Sequence, residues 1–190
     1  MSQTGRLVFE TERLSVRTAT EADVDLFYAL WTNPAVMKHV GFPQGLPITR
    51  EELMDKPFPK AESEFDQRLV VVLKDTGEPI GECKLGRPDE SGVVEPDIKL
   101  LPPYWGHKYG REVWMALVAY LFEHSTCDAI MTTPNVDNIA ALKTYEATGA
   151  VREGEDVYHF PEPMQAYTTP VHHYIYKLYR SDWEAATDVA

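Results

Sequence analysis

A chain of 190 residues, 44% of them hydrophobic and 25% charged, has material for one well-buried core and too little for two, so a single domain over residues 1–190 is expected. With 30 acidic against 18 basic residues the net charge is −12, which argues against nonspecific nucleic-acid binding, because that binding needs clustered Lys and Arg to displace counterions. The longest apolar run, Val113 to Phe122, falls short of the ~20 residues of a spanning helix, and no secretory segment follows Met1; a soluble, cytoplasmic chain with no membrane partner is expected. Cys83 and Cys127 stand far apart without a CxxC or His/Cys cluster and read as two small buried thiols, not as a disulfide or metal site.

In chain order, Leu7 to Val16 reads as an opening strand or two short pieces with a polar interruption. Thr20-Glu21-Ala22-Asp23 has the character of a helix N-cap, and Val24, Phe27, Leu30 and Trp31 recur at helical spacing until Asn33-Pro34. From Ala35 to Lys60, Pro43, Pro47, Pro57 and Pro59 break the pattern into short helical pieces and loops, with Thr49-Arg50-Glu51-Glu52 as a local helix start. This segment is either a substrate-facing wall or a surface connection. Leu69 to Leu73 and Ile80 to Leu85 form an antiparallel hairpin around Lys74 to Pro79. Val93 to Leu101 follows as a strand stopped by Pro102-Pro103.

The helix from Val113 to Phe122 is apolar nearly all round, which predicts burial on most of its faces. Ala129 to Thr133 is a short strand, and Asn135 to Thr148 a helix capped by Asp137 or Asn138 and stopped by Gly149. Val151 to Phe160 and His172 to Tyr179 are the last strands, around an aromatic- and Pro-rich loop. Residues 184–190 read as a frayed tail, leaving a core of about residues 6–183. A hairpin followed by strand, helix, strand, helix and strands predicts an α/β (α+β) layered sheet.

The stretch Trp105-Gly106-His107-Lys108-Tyr109-Gly110-Arg111 joins a strand end to a helix start. Glycines there let the backbone approach a ligand, and first-turn N–H groups at the positive end of the helix dipole point at an anion such as a pyrophosphate. Two glycines alone fit a tight connection equally well. No G-x-x-x-x-G-K-[ST] sequence is present, which counts against an ATP-binding loop.

Four features together resemble the GNAT superfamily of acyl-CoA N-acyltransferases, and within it the branch of ribosomal-protein N-acetyltransferases. They are Thr11-Glu12-Arg13-Leu14 with Arg17 and the Asp23 helix, the loop from Trp105 to Glu112, the run Asn135 to Ala150, and the hairpin with the closing strands. The resemblance implies a mixed, mostly antiparallel sheet of about six or seven strands flanked by about four helices, splayed to hold acyl-CoA. It implies acetyl-CoA as co-substrate, without metal, with the backbone of Ile98, Lys99 and Leu100 on the pantetheine arm. Trp105, Gly106, His107, Lys108, Tyr109, Gly110 and Arg111 would wrap the pyrophosphate, and Asn138, otherwise a plain N-cap, would bond the pantetheine. Lys108 stands where the family has a glycine and is expected to keep ordinary backbone angles.

The activity so implied is acetyl transfer to a primary amine by direct attack in a ternary complex, the alternative being a non-catalytic acyl-CoA sensor. Glu95 is the candidate general base, with Asp97 two residues on as its substitute. The Leu100 N–H would polarise the carbonyl, and Tyr145 would serve the departing sulfur as acid. His172 and His173, adjacent on a strand, face opposite ways and cannot form a metal pair. The loop from Tyr158 to Tyr167, with Glu155, Asp156 and Glu162, suits an alkylammonium wall. The acceptor is a small-molecule amine or a protein N-terminus, and a homodimer is left open.

Overall fold

The computed structural model describes residues 5–55 and 63–187. Strands β1 (Leu7–Glu10) and β2 (Leu14–Thr18) open it, followed by helices α1 (Val24–Trp31), α2 (Pro34–Met37) and α3 (Arg50–Met54). The hairpin β3 (Leu69–Leu73) and β4 (Pro79–Lys84) comes next, then β5 (Val93–Val94), β6 (Asp97–Leu100) and α4 (Tyr109–His124). The chain closes with β7 (Ala129–Thr132), α5 (Ile139–Glu146), β8 (Val151–Tyr158), β9 (Val171–Tyr179) and α6 (Arg180–Thr187). The mixed α/β architecture with a mostly antiparallel sheet is as expected, but the described residues carry nine strands and six α-helices, more than the about six or seven strands and four helices anticipated.

The extra strands come from two breaks. The opening run divides at Thr11 to Arg13, and the predicted strand from Val93 to Leu101 splits at Glu95-Pro96 into β5 and β6, which belong to different sheets. One sheet has the order β1-β2-β3-β4-β6 and the other β5-β7-β9-β8. Val93 and Val94 pair in parallel with Ala129 and Ile130, whereas Asp97 to Leu100 pair antiparallel with Gly81 to Lys84. Pro96 has no N–H to donate and interrupts the ladder where the chain changes sheets. Beyond that point β6 is an edge and Met131-Thr132 lack a partner on the same side, so the two sheets part.

The continuous apolar run of β3 is buried at all five positions because both faces of its sheet are covered. Leu69, Val71 and Leu73 belong to the core against α4, while Val70 and Val72 belong to a second core with Phe27 and Leu30 of α1. Each such side chain contributes about 1.5–3 kcal/mol of burial, so this strand welds the two layers.

Helix α4 is buried on most of its faces, as expected, and differs from an all-round apolar rod only on one side. Val113, Trp114, Leu117, Val118, Leu121 and Phe122 are buried, but Arg111, Met115 and Glu123 are exposed, so one face is open. The apolar composition of the open side is carried by Met115 and small alanines. The tail also differs: residues 180–187 are helical, and residues 188–190 lie outside the described residues, as do Pro57 and Pro59. Arg180 donates to the carbonyls of Cys127, Phe122 and Ser125 at 2.8, 2.5 and 3.0 Å, and Trp183 packs on Phe122 with ring centroids 5.2 Å apart. Those carbonyls at and beyond the end of α4 would otherwise lack partners.

Candidate active site

The loop before α4 is left-handed at two positions, Gly106 (φ 80°) and Lys108 (φ 66°). Lys108 therefore does not keep ordinary backbone angles. The turn demands a positive φ at the position before the helix, and a lysine adopts it at a cost of about 1–2 kcal/mol. No side chain caps the helix start. A Cβ built on Gly106 would meet nothing within 4 Å, and one on Gly110 only Leu100 Cδ1 at 3.8 Å. Glycine at these places keeps space open in front of the first-turn amides, as a phosphate-bearing ligand would require.

The early motif clamps this loop. Thr11 Oγ1 donates to Glu112 Oε1 at 2.5 Å, the Arg13 N–H to the same oxygen at 2.9 Å, and Arg13 Nε to Glu112 Oε2 at 2.7 Å. Arg13 also reaches the His107 carbonyl at 3.2 Å and lies 4.5 Å from the centroid of the Tyr109 ring. Burial pushes the Glu112 carboxyl up, but Thr11 and Arg13 outweigh it and hold its pKa below the usual value. A groove of about 590 Å³ runs beside this clamp, lined by Lys108, Arg111 and Met115 among others. Trp105 is half-exposed at 47% and turns its indole N–H onto the Leu100 carbonyl at 2.8 Å.

Strand β6 forms one wall of the gap between the sheets. Leu101 N–H bonds the Ile80 carbonyl at 2.9 Å, and the pairing of Glu82 with Lys99 continues the same alternation. The main chain of Lys99 is thus turned to β4, while the N–H groups of Ile98 and Leu100 are turned into the gap. Of the three backbone sites expected to face a cofactor, Lys99 is corrected: its side chain instead contacts Asp97 and lies 3.5 Å from buried Glu82. Glu82 in turn accepts from Trp31 Nε1 at 2.8 Å and Arg68 Nη1 at 3.1 Å.

Glu95 stands one residue past the last paired residue of β5, exposed, and accepts a hydrogen bond from Thr133 Oγ1 at 2.6 Å across the mouth of the gap. Asp97 is engaged by Lys99. Tyr145 on α5 packs edge-on against Trp114, centroids 4.7 Å apart, and its phenol makes no hydrogen bond among the described residues. Its pKa is pushed well up, first by burial and then by the negative charges of Asp97 and Glu95. Asn138 is the N-cap of α5, accepting from the Ala141 N–H at 3.3 Å.

Elsewhere, residues Gly41 and Phe42 meet the Tyr158 to Tyr167 loop and the residues just after it. Phe42 packs against Phe160 at 5.4 Å and Tyr167 at 6.2 Å, and the Thr169 N–H bonds the Gly41 carbonyl at 2.9 Å. Gly41 is required there, since a Cβ would lie 2.3 Å from the Phe160 ring. A groove of about 500 Å³ opens beside Glu95, lined by Phe65, Asp66, Lys84, Arg87 and Met131. Sequence reading missed the Arg13–Glu112 clamp, whose two halves lie 99 positions apart, and the buried Glu82. No group of three or more metal-ligating side chains, and no helix long and apolar enough to cross a membrane, occurs among the described residues.

Comparison with known proteins assigns this arrangement of parted sheets and glycine-bearing helix start to a family. Residues 13–151 match the family described as acetyltransferase (GNAT) domain. The chain belongs to the GNAT acetyltransferases and is by that membership an acyl-CoA-dependent N-acetyltransferase. An uncharacterized N-acetyltransferase, p20, of Bacillus licheniformis is 25% identical over 146 residues, covering 76% of this chain and 82% of that protein. The fold is shared with a GNAT acetyltransferase from Bacillus anthracis at a TM-score of 0.73 and 19% identity, over 92% of this chain and 99% of that one. It is shared equally with spermidine N-acetyltransferase from Vibrio cholerae, solved in complex with CoA and spermine, at 0.73 and 20%, over 90% of this chain and 98% of that one.

Proposed function

We propose that the gap between β6 and β7 holds the arm of acetyl-CoA and that the acetyl group passes directly to a primary amine, in the manner of the ribosomal-protein N-acetyltransferase branch. The observation that carries this reading is the pair of inward N–H groups, Ile98 and Leu100, on an edge strand that runs into an uncapped helix start. Trp105 to Arg111 surround the pyrophosphate with main-chain amides, and Lys108 adds its ammonium. Asn138 both caps α5 and bonds the pantetheine.

Glu95 takes a proton from the acceptor ammonium, whose pKa near ~10.4 otherwise keeps it unreactive at neutral pH. The amine nitrogen attacks the thioester carbon, and the Leu100 N–H donates to the oxygen as it gains charge. The C–S bond then breaks with the Tyr145 phenol donating a hydrogen bond to the departing sulfur, and the second nitrogen proton passes through solvent to that sulfur, so that CoA leaves as the thiol and the product is a neutral amide. The raised pKa of Tyr145 keeps the phenol protonated, which suits a hydrogen-bond donor held on a developing thiolate. Asp97, occupied by Lys99, is a poor substitute base. The acceptor amine is held against a wall of Phe42, Phe160 and Tyr167, with Glu155 and Asp156 of β8 and Glu162 of the loop after it, as an alkylammonium site.

Acetyl-CoA turnover across a panel of polyamines, aminoglycosides and peptides with free N-termini, read as free thiol, tests the reading. Amine-dependent release of CoA that is lost in Glu95→Gln supports it. Release that no amine accelerates contradicts it.

A further inference from the structure

Thr132 closes β7 and is only 4% exposed, yet its hydroxyl is the one buried side-chain polar atom without a hydrogen-bond partner among the described residues. An orphaned buried hydroxyl is unfavourable, and such groups in folded proteins call for an explanation. Its position supplies one. Thr132 lies two residues past Ile130, the last residue of β7 paired with β5, and so sits at the narrow end of the gap. By strand alternation it shares the face of Ile130, which lines the core against α4, and its partner across the ladder is Tyr176, 6.5 Å in ring centroids from Tyr145. The nearby tyrosine is no partner either: Tyr176 OH is committed to Glu146 Oε1 at 2.7 Å.

We propose that the Thr132 hydroxyl is a hydrogen-bonding group for the thioester end of the acyl-CoA arm, left without a partner until that arm fills the gap. The inference rests on the gap being the acyl-CoA cleft. It adds a side-chain contact from β7 opposite the main-chain contacts of Ile98 and Leu100, and makes Thr132 a residue that distinguishes a ligand with the arm from one without it.

The test is isothermal titration of CoA and of adenosine 3′,5′-bisphosphate, which lacks the arm, into wild type, Thr132→Val and Thr132→Ser, with thermal melts of each free protein. Valine keeps the shape and removes the hydroxyl. The expected result is CoA affinity about 3- to 10-fold weaker in Thr132→Val, the bisphosphate unaffected, affinity restored in Thr132→Ser, and a free-protein Tm in Thr132→Val equal to or above wild type. Wild type that binds CoA while Thr132→Val binds it equally well, or that loses Tm with no change in affinity, overturns the role of the hydroxyl and leaves the cleft standing. Wild type that binds no CoA overturns the cleft and this contact with it.

Discussion

The proposed cofactor end of the gap and the proposed acceptor end are held by different kinds of contact. At the proposed cofactor end the groups offered to a ligand are main-chain amides, those of Ile98 and Leu100 and of the loop before α4, and one clamp, Arg13 with Thr11 on Glu112, braces the loop. At the acceptor end the wall is side chains brought from two distant loops, Phe42 from one and Phe160 and Tyr167 from the other. Main-chain recognition needs only a strand, a turn and a helix start in order, so it is written in a short motif. Side-chain recognition depends on tertiary packing and carries no local signature.

Substitutions at the two ends separate them, and the largest effect belongs to the chemistry between. Glu95→Gln is expected to lower kcat about 10²–10⁴-fold with acetyl-CoA affinity kept, measured by steady-state kinetics beside titration. Trp114, 2% exposed and donating to Thr148 Oγ1 at 2.9 Å, ties α4 to the end of α5; Trp114→Ala should cost about 3–5 kcal/mol in urea unfolding. Arg13→Ala should weaken CoA binding about tenfold and leave the KM of the amine unchanged, since it loosens only the cofactor end. Phe42→Leu should do the reverse, raising the amine KM a few-fold at constant CoA affinity. An equal response of both parameters in either variant would erase the distinction.

Acid should loosen the clamp beside the loop before α4. Glu112 has a folded-state pKa below its ordinary 4.5, so its clamp contributes stability above that value and loses it as the pH falls through the depressed folded pKa. A pH titration of the melting temperature, with Glu112→Gln flat in that range relative to wild type, checks the sign. The smallest effect is that of Lys108→Gly, where relief of the left-handed strain and the greater chain entropy of glycine nearly cancel, leaving the unfolding free energy in urea within about 1 kcal/mol of wild type.

Much of the fold was legible because its signals are local. Thr49 with Glu52 forms the capping box its spelling promised, Asn33-Pro34 ends one helix and starts the next, and the apolar run of β3 is buried on both faces. The division of Val93 to Leu101 was not legible, because Pro96 in a strand reads as an edge and says nothing of which sheet takes each half. Lys108 was misread for a related reason. Residue type alone favours ordinary angles for lysine, while the turn before α4 imposes the left-handed region. In the candidate site, Glu95 and Tyr145 were reached through the family motif, since nothing local in a strand end or a helix face marks a base or an acid. Lys99 entered with Ile98 and Leu100 as the backbone run that the family resemblance implies, and only the register with β4 shows that its main chain faces away.

Residue-resolved amide hydrogen exchange of β6, with and without saturating CoA, tests the central claim most directly. The account predicts that the Lys99 amide, turned to β4, is protected in the free protein, while the Ile98 and Leu100 amides exchange readily and become protected when CoA binds. CoA binding that leaves Ile98 and Leu100 unprotected would contradict it, because the arm would then lie somewhere other than the gap between β6 and β7.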